Sequence, residues 1–460
     1  MLGHLPTIWR MLKKNELVLN LFIQWAEEYG PIIRFNAFHR VSLMVLSPEG
    51  VKVLNKSSNW NHPIHPPSDL SSYKMNWYGA LFLGNDLVTD LNHDHWYKQR
   101  RIMDPAFSRT YLIGLMETFN EKAEELMKKL EEKADGKTEL DIMSMMSRVT
   151  LDVIAKVAFG LELNTLHDHQ TPFPHAVSMV MKGMNEIRVP LVQYMPGKQK
   201  LIKEIQESVR LLRRVGKKCI EHRREAIQNE EEVPRDILTQ ILKGDGRKLN
   251  ILQFHYSVNC FAGLNSHETT SIQLSFTIME LGRQPEILER LHAEVDEVIG
   301  AKRNIDYEDL GRLEYLSQVL KESLRLYPPI PGTVRWTGKE NVIESVRIPG
   351  NSSLFFSTYV MGRLEKFFKD PLTFNPDRFN KDAPKPYFTY FPFSLGPRSC
   401  IGQIFSQMEA KVVMAKLLQR FEFQLVPGQS FKILDTGTFR PKDGVVCILK
   451  PWIITKGSQK

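Results

Sequence analysis

One ten-residue segment limits this chain more than any other: Phe393-Ser-Leu-Gly396-Pro-Arg398-Ser-Cys400-Ile-Gly402. Cys400 has no CxxC neighbour, so it cannot build a tetrahedral structural zinc site by itself. A lone thiol can still hold one metal that brings its other ligands with it. Gly396 permits a tight turn that a residue with a Cβ would resist. Arg398 sets a fixed cation beside the cysteine. After Gly402, apolar residues at Phe405, Met408, Val412, Val413 and Leu417 predict a helix. Cys400 then stands at a helix N-terminus, where the dipole and free N–H groups favour a thiolate. An arbitrary free cysteine is more often a small buried hydrophobe, and it is the pattern around this one that argues otherwise.

The chain of 460 residues is 42% hydrophobic and 25% charged, enough to bury a sizeable core. It has no internal repeat, low-complexity tract or dividing linker, so residues 1–460 read as a single domain. Cys219, Cys260, Cys400 and Cys447 lie far apart, which argues against a disulfide scaffold and for a reducing compartment. A net charge of +8 is modest for this length. With no arginine-rich arm and no zinc-finger spacing, nucleic acid is not expected as a partner. A basic face suits an acidic protein partner or anionic lipid. Leu17 to Trp25, interrupted by Asn20 and Gln24, is too short to span a bilayer, and no signal peptide is visible.

The predicted fold class is mainly α with small β-sheets. Residues 31–55 read as strands, and 60–90 as a long loop of the kind that is usually functional. From 92 to 325 the pattern is helical, with helices over Phe119–Lys133, Ile142–Phe159, Asn250–Arg283 and Arg312–Leu326. Pro174, Pro190 and Pro196 should break residues 173–199 into short pieces. Strand-like runs follow at Val342–Ile348, Phe421–Val426 and Val445–Leu449.

Three further constellations stand out. Glu322 and Arg325 are helix neighbours in an apolar context, where a buried ion pair needs further partners; Arg378, in Pro376-Asp-Arg-Phe379, is available as one. Trp96 and Arg100 share a helix face; alone they read equally well as an amphipathic surface helix. Glu268-Thr269 puts an acid and an alcohol in mid-helix, either a back-bonded threonine that bends the helix or a proton relay.

The segment FxxGxRxCxG resembles the haem-binding loop of the cytochrome P450 family. Trp96/Arg100, Glu268-Thr269, Glu322/Arg325, Arg335, Arg378 and Cys400 occur in that family's order along the whole chain. The resemblance implies the cytochrome P450 fold, with a long central helix over haem b (iron protoporphyrin IX). It makes Cys400 the metal ligand, and Trp96, Arg100, Arg335 and Arg398 the contacts to the haem carboxylates. Glu268 and Thr269 become the catalytic proton relay, and Glu322, Arg325 and Arg378 a structural network. It further implies O2, electrons from NADPH–cytochrome P450 reductase, a monomer at a membrane surface, and the cytosolic face of the endoplasmic reticulum membrane. Lys98 and Arg101 would lie on the partner-facing side.

More narrowly, Met116–Ala123, Arg283–Ile287, Gln318–Pro329 and Phe388–Gly396 are similar to the cholesterol 24-hydroxylase group. That implies a sterol substrate and a chain lacking its N-terminal membrane anchor. Expected pocket walls are residues 60–90, 173–199, 261–269, 330–334 and 436–439. One departure stands beside the match. Asn265 and Ser266 replace the two small residues that the family places before the acid. They motivate a rival expectation of a non-catalytic haem- and sterol-binding pseudoenzyme. A reductase-independent haem-thiolate isomerase is the other rival, opposed by retention of Glu268-Thr269.

Overall fold

Asp141 opens, and Gly160 closes, one of the most deeply buried segments of the chain. The Asp141 carboxylate accepts from the N–H groups of Met143 (3.1 Å) and Ser144 (3.4 Å), donors that a helix start otherwise leaves free. Gly160 takes φ +68°, a left-handed cap. Between them Ile142–Phe159 is helical and buried on most faces, as its apolar sequence predicts. The computed structural model describes residues 3–14, 16–37, 40–55, 60–61, 87–88, 90, 92–168, 170–186, 195–244 and 267–452.

Eight helices carry the packing: α1 His93–Met103, α2 Met116–Glu131, α3 Ile142–Phe159, α4 Gln199–Gln228, α5 His267–Leu281, α6 Pro285–Val298, α7 Glu314–Leu326 and α8 Gln403–Arg420. Helix α5 is surrounded: it packs on α3, α7 and α8. Ile272, Leu274, Phe276, Ile278 and Leu281 are all buried, the all-round burial of a central helix. Helix α8 is gripped from the other side by α2 and α6. One large core therefore unites both helices that flank the candidate site.

The strands are β1 Ile32–Ala37, β2 Arg40–Val45, β3 Trp60–Asn61, β4 Glu139–Asp141, β5 Thr333–Thr337, β6 Asn341–Ile343, β7 Val346–Ile348, β8 Ser352–Phe356, β9 Phe421–Leu425, β10 Ile433–Asp435, β11 Phe439–Pro441 and β12 Val446–Pro451. Five form one sheet in the order β1-β2-β8-β5-β3, with β2 and β8 parallel and Leu43 beside Leu354. Arg335 on β5 faces Leu354 of β8 across an antiparallel pair. A three-stranded sheet, β4-β12-β9, and two hairpins, β6–β7 and β10–β11, complete the β structure. The fold is mainly α with small sheets, as predicted.

Several boundaries differ from the sequence reading. The β run in 31–55 ends at Val45. Ser47 accepts from the Gly50 N–H (3.0 Å) and Pro48 opens a short helix, Pro48–Val51, followed by a 3-10 turn. Pro174 does not break a helix; it lies in the first turn of Phe173–Glu186, where its missing N–H costs nothing. The 312–326 run divides at Leu313, which ends helix Tyr307–Arg312 before α7 begins. Pro190, most of residues 60–90, and the segment 250–266 with Asn265 and Ser266 lie outside the described residues. No helix among the described residues is long and apolar enough to cross a membrane.

Candidate active site

The cysteine loop folds back on itself. Ser394 and Gly396 both take positive φ, +58° and +74°. The Ser399 N–H donates to the Gly396 carbonyl, and the Cys400 N–H to that of Phe393, each at 2.9 Å. Gly396 thus performs the turn its lack of a Cβ suggested. Cys400 stands three residues before α8, with Gly402 as the cap. Cys400 is exposed as a residue, while desolvation by the surrounding protein raises the pKa of its thiol. The Gly402 N–H and Arg100 pull the pKa down without overcoming burial. The expected thiolate is therefore not supplied by the helix terminus alone.

Three guanidinium groups and an indole gather beside this loop. Trp96 and Arg100 come from α1, held in register by Asn92, whose side chain accepts from the His95 N–H (3.0 Å). Trp96 is 2% exposed, and the Arg398 guanidinium carbon lies 3.9 Å from its ring centroid, a cation–π distance. Arg398 donates to the Asp90 carbonyl (3.2 Å). Arg100 donates to the Ser399 carbonyl and to Asp104, both at 2.6 Å. Arg335 donates through Nη1 to Thr333 Oγ1 (2.7 Å) and the Val334 carbonyl (2.9 Å). Its Nη2 finds no partner among the described residues, although the side chain is 2% exposed. Burial pulls Arg335 down to about 10. Arg398 also falls to about 10, through burial first and then through the nearby charges of Arg335 and Arg100. Both stay cationic at neutral pH, and carbonyl contacts do not neutralise them.

The Glu322 group is closed by comparison. Arg325 grips Glu322 with two hydrogen bonds of 2.7 Å, and both side chains are fully buried. Its other donors reach the carbonyls of Gly362 (2.5 Å), Pro371 (2.7 Å) and Thr373 (3.2 Å). Glu322 also accepts from the Asn375 N–H (2.8 Å) and Arg378 Nε (3.3 Å). Gly362 is required here, because a Cβ would approach the Arg325 carbonyl to 2.9 Å.

Glu268 and Thr269 occupy the first described turn of α5. Burial raises the Glu268 carboxyl above its ordinary value, with Thr438 and Arg440 acting the other way. His267 is buried and falls to about 4. Helix α5, which carries Glu268, packs on α8, the helix that follows the cysteine loop.

A family model described as Cytochrome P450 matches residues 2–449. The chain belongs to the cytochrome P450 family. It is 28% identical over 466 residues to cytochrome P450 4d2 of Drosophila melanogaster, covering 95% of this chain and 89% of that one. It is 30% identical over 436 residues to cytochrome P450 4e2 of the same fly, covering 90% and 80%. Secologanin synthase 1 of Catharanthus roseus is 30% identical over 429 residues, covering 88% and 78%.

Cytochrome P450 enzymes are haem-thiolate monooxygenases that use haem b, O2 and a redox-partner reductase. The donor set of this P450 fits that group. A lone thiol held by a folded-back loop suits one axial ligand. Buried Arg335, with an N–H edge that is unpartnered among the described residues, and the half-buried Arg100 and Arg398 suit a dicarboxylate.

Sequence reasoning missed two sets of polar residues. Asp90 is 3% exposed; its carboxylate takes hydrogen bonds from the Asn92 N–H (3.0 Å) and Gln99 (3.2 Å) and contacts His95. The i,i+5 and i,i+9 spacings into α1 were a weak signal for it. Thr438 lies within 436–439, an expected pocket wall, but its contact with Glu268 had no signal: 170 residues separate them.

Proposed function

We propose that this P450 hydroxylates the side chain of a sterol, with cholesterol and its C24 position as the reaction to test. In this reading the chain acts as one catalytic domain and as a monomer. It works at the cytosolic face of the endoplasmic reticulum membrane and receives electrons from NADPH–cytochrome P450 reductase. The observation that carries the chemistry is the gathering of three guanidinium groups at the Cys400 loop, one of them buried with an Nη2 that has no partner among the described residues. The sterol rests on the similarity of Gln318–Pro329 and Phe388–Gly396 to the cholesterol 24-hydroxylase group. Apolar residues at the expected walls, such as Ile330 and Phe439, are compatible with it.

Bound haem supplies the activation of O2 for insertion of one oxygen atom into an unactivated C–H bond. The remaining roles fall to this chain. Cys400 Sγ is the iron ligand. Arg100, Arg335 and Arg398 hold the haem carboxylates, and Trp96 supports Arg398 by stacking. Glu268, whose hold on its proton is strengthened by burial, stores a proton, and the neighbouring Thr269 hydroxyl passes it on. Glu322, Arg325 and Arg378 hold the segment that leads to the cysteine loop. The apolar walls choose the carbon by fixing the substrate's pose.

The test has two stages. Reduction under carbon monoxide reads the thiolate-ligated haem, and Cys400→Ser is expected to abolish that spectrum. Turnover of cholesterol with reductase and NADPH then gives a product whose hydroxyl position is read by mass spectrometry. Normal haem binding without an NADPH-dependent product favours the non-catalytic sterol binder that Asn265 and Ser266 suggest. In that case Asn265→Ala with Ser266→Gly should restore turnover. A product formed without reductase favours the isomerase.

A further inference from the structure

Glu268 is oriented by a partner far away in sequence. Its Oε1 accepts from the Thr438 hydroxyl at 3.0 Å. Thr438 is 3% exposed and lies in the turn between β10 and β11. That turn is firmly mounted. The Thr438 carbonyl accepts from the Thr436 N–H (3.0 Å) and hydroxyl (3.3 Å). The Gly437 N–H donates to Asp435 Oδ1 (2.9 Å), and Gly437 takes φ +101°, a conformation that glycine adopts without strain. Phe439 donates its N–H to the Pro329 carbonyl (2.8 Å) and meets Tyr359 edge-on, with centroids 5.2 Å apart. The hairpin packs against α5.

A protonated carboxyl has one oxygen that donates and one that accepts. A hydroxyl that donates to Oε1 makes Oε1 the accepting oxygen and leaves the acid proton to Oε2. Oε2 is buried and meets no hydrogen-bond partner among the described residues. We propose that Thr438 is a positioning residue for Glu268, which by donating to Oε1 assigns the acid proton to Oε2 and fixes the direction in which it leaves. The proposal rests on the reading of Glu268 as the proton-holding acid. In the transfer, the Oε2–H bond breaks, the proton forms an O–H bond on an acceptor oxygen in the site, and water from solvent reprotonates the carboxylate. A hairpin beside the expected substrate pocket thereby influences the proton supply.

The test uses the haem-loaded protein and two readouts. The infrared C=O band of protonated Glu268 is identified by its loss in Glu268→Gln. Coupling is read as product formed per NADPH consumed. Thr438→Val keeps the shape and removes the donor. It is expected to load haem normally, shift the Glu268 band and lower coupling about threefold to tenfold, the worth of one hydrogen bond. Thr438→Ser should restore both, and Thr438→Ala replaces the valine variant if the latter does not load haem. An unchanged band and coupling in Thr438→Val overturn the proposal, as does a serine variant that behaves like valine. No band lost in Glu268→Gln overturns it together with the proton-holding role. A shifted band with no turnover of any sterol sinks the substrate reading and leaves the role of Thr438 standing.

Discussion

Arg325 and Arg335 lie ten residues apart, and both are buried, but in opposite circumstances. All five N–H donors of Arg325 are engaged, two by the Glu322 carboxylate and three by backbone carbonyls. Arg335 makes two hydrogen bonds through one nitrogen and leaves Nη2 without a partner among the described residues. The cluster around Glu322 is complete within the protein. The cluster of Arg335, Arg398 and Arg100 gathers three cations that the nearby carboxylates of Asp90 and Asp104 do not fully match among the described residues. A buried charge is tolerable only when paired. The first arrangement therefore serves architecture, while the second is built for something that arrives later.

The contrast is open to direct attack. The largest effect is expected from Arg325→Ala, which strands the Glu322 carboxylate. Breaking a buried pair in this way costs about 3–5 kcal/mol, a large part of an ordinary domain's stability. Soluble protein without haem, or no soluble protein, is the expected outcome, read by absorbance after expression.

His267 extends the open kind of burial to α5, since its Nδ1 has no partner among the described residues. Its pKa falls from 6.5 to about 4, so between those values the unfolded chain binds the extra proton. Stability is then full above pH 6.5 and is lost as pH falls toward 4, by about 3 kcal/mol. Denaturant midpoints across that range, compared with those of His267→Gln, read the difference; equal slopes would show that His267 does not titrate this way.

Arg335→Leu is predicted to separate the two clusters most clearly. It should leave the haem-free protein as stable as before, or more so, because an unbalanced charge is removed. It should also speed haem loss about tenfold to a hundredfold, the worth of a charge-assisted hydrogen bond, as measured by transfer to a haem acceptor. Equal destabilisation of both forms would place Arg335 with the closed cluster. The smallest effect belongs to Arg378→Ala. Arg378 touches Glu322 at 3.3 Å from a partly exposed position, and about 1 kcal/mol is expected from thermal unfolding.

Much of this was legible because local spacing fixes it. Glu322 and Arg325 face each other across one helical turn whatever the rest of the chain does. Asp141 and Gly160 bracket a helix whose limits, Ile142 and Phe159, were predicted to the residue. Ser47-Pro48 carried an equally local signal, a cap before a first-turn proline, although it lies inside the 31–55 stretch that reads as strands. Thr438 was illegible for another reason. Its partner is chosen by how a hairpin lies on α5, and no periodicity encodes that. The Cys400 thiol falls between these cases: the turn at Gly396 could be foreseen, but the balance of burial against the helix terminus could not.

The Arg100 guanidinium meets the Ser399 carbonyl across 299 residues. A ribosome adding about 5–20 residues per second needs about 15–60 s to make that intervening stretch. For all of that time the early half of the cradle exists without its late half. Haem capture in this P450 therefore waits until the segment around Ser399 has been made and folded, and the growing chain must be kept from aggregating until then.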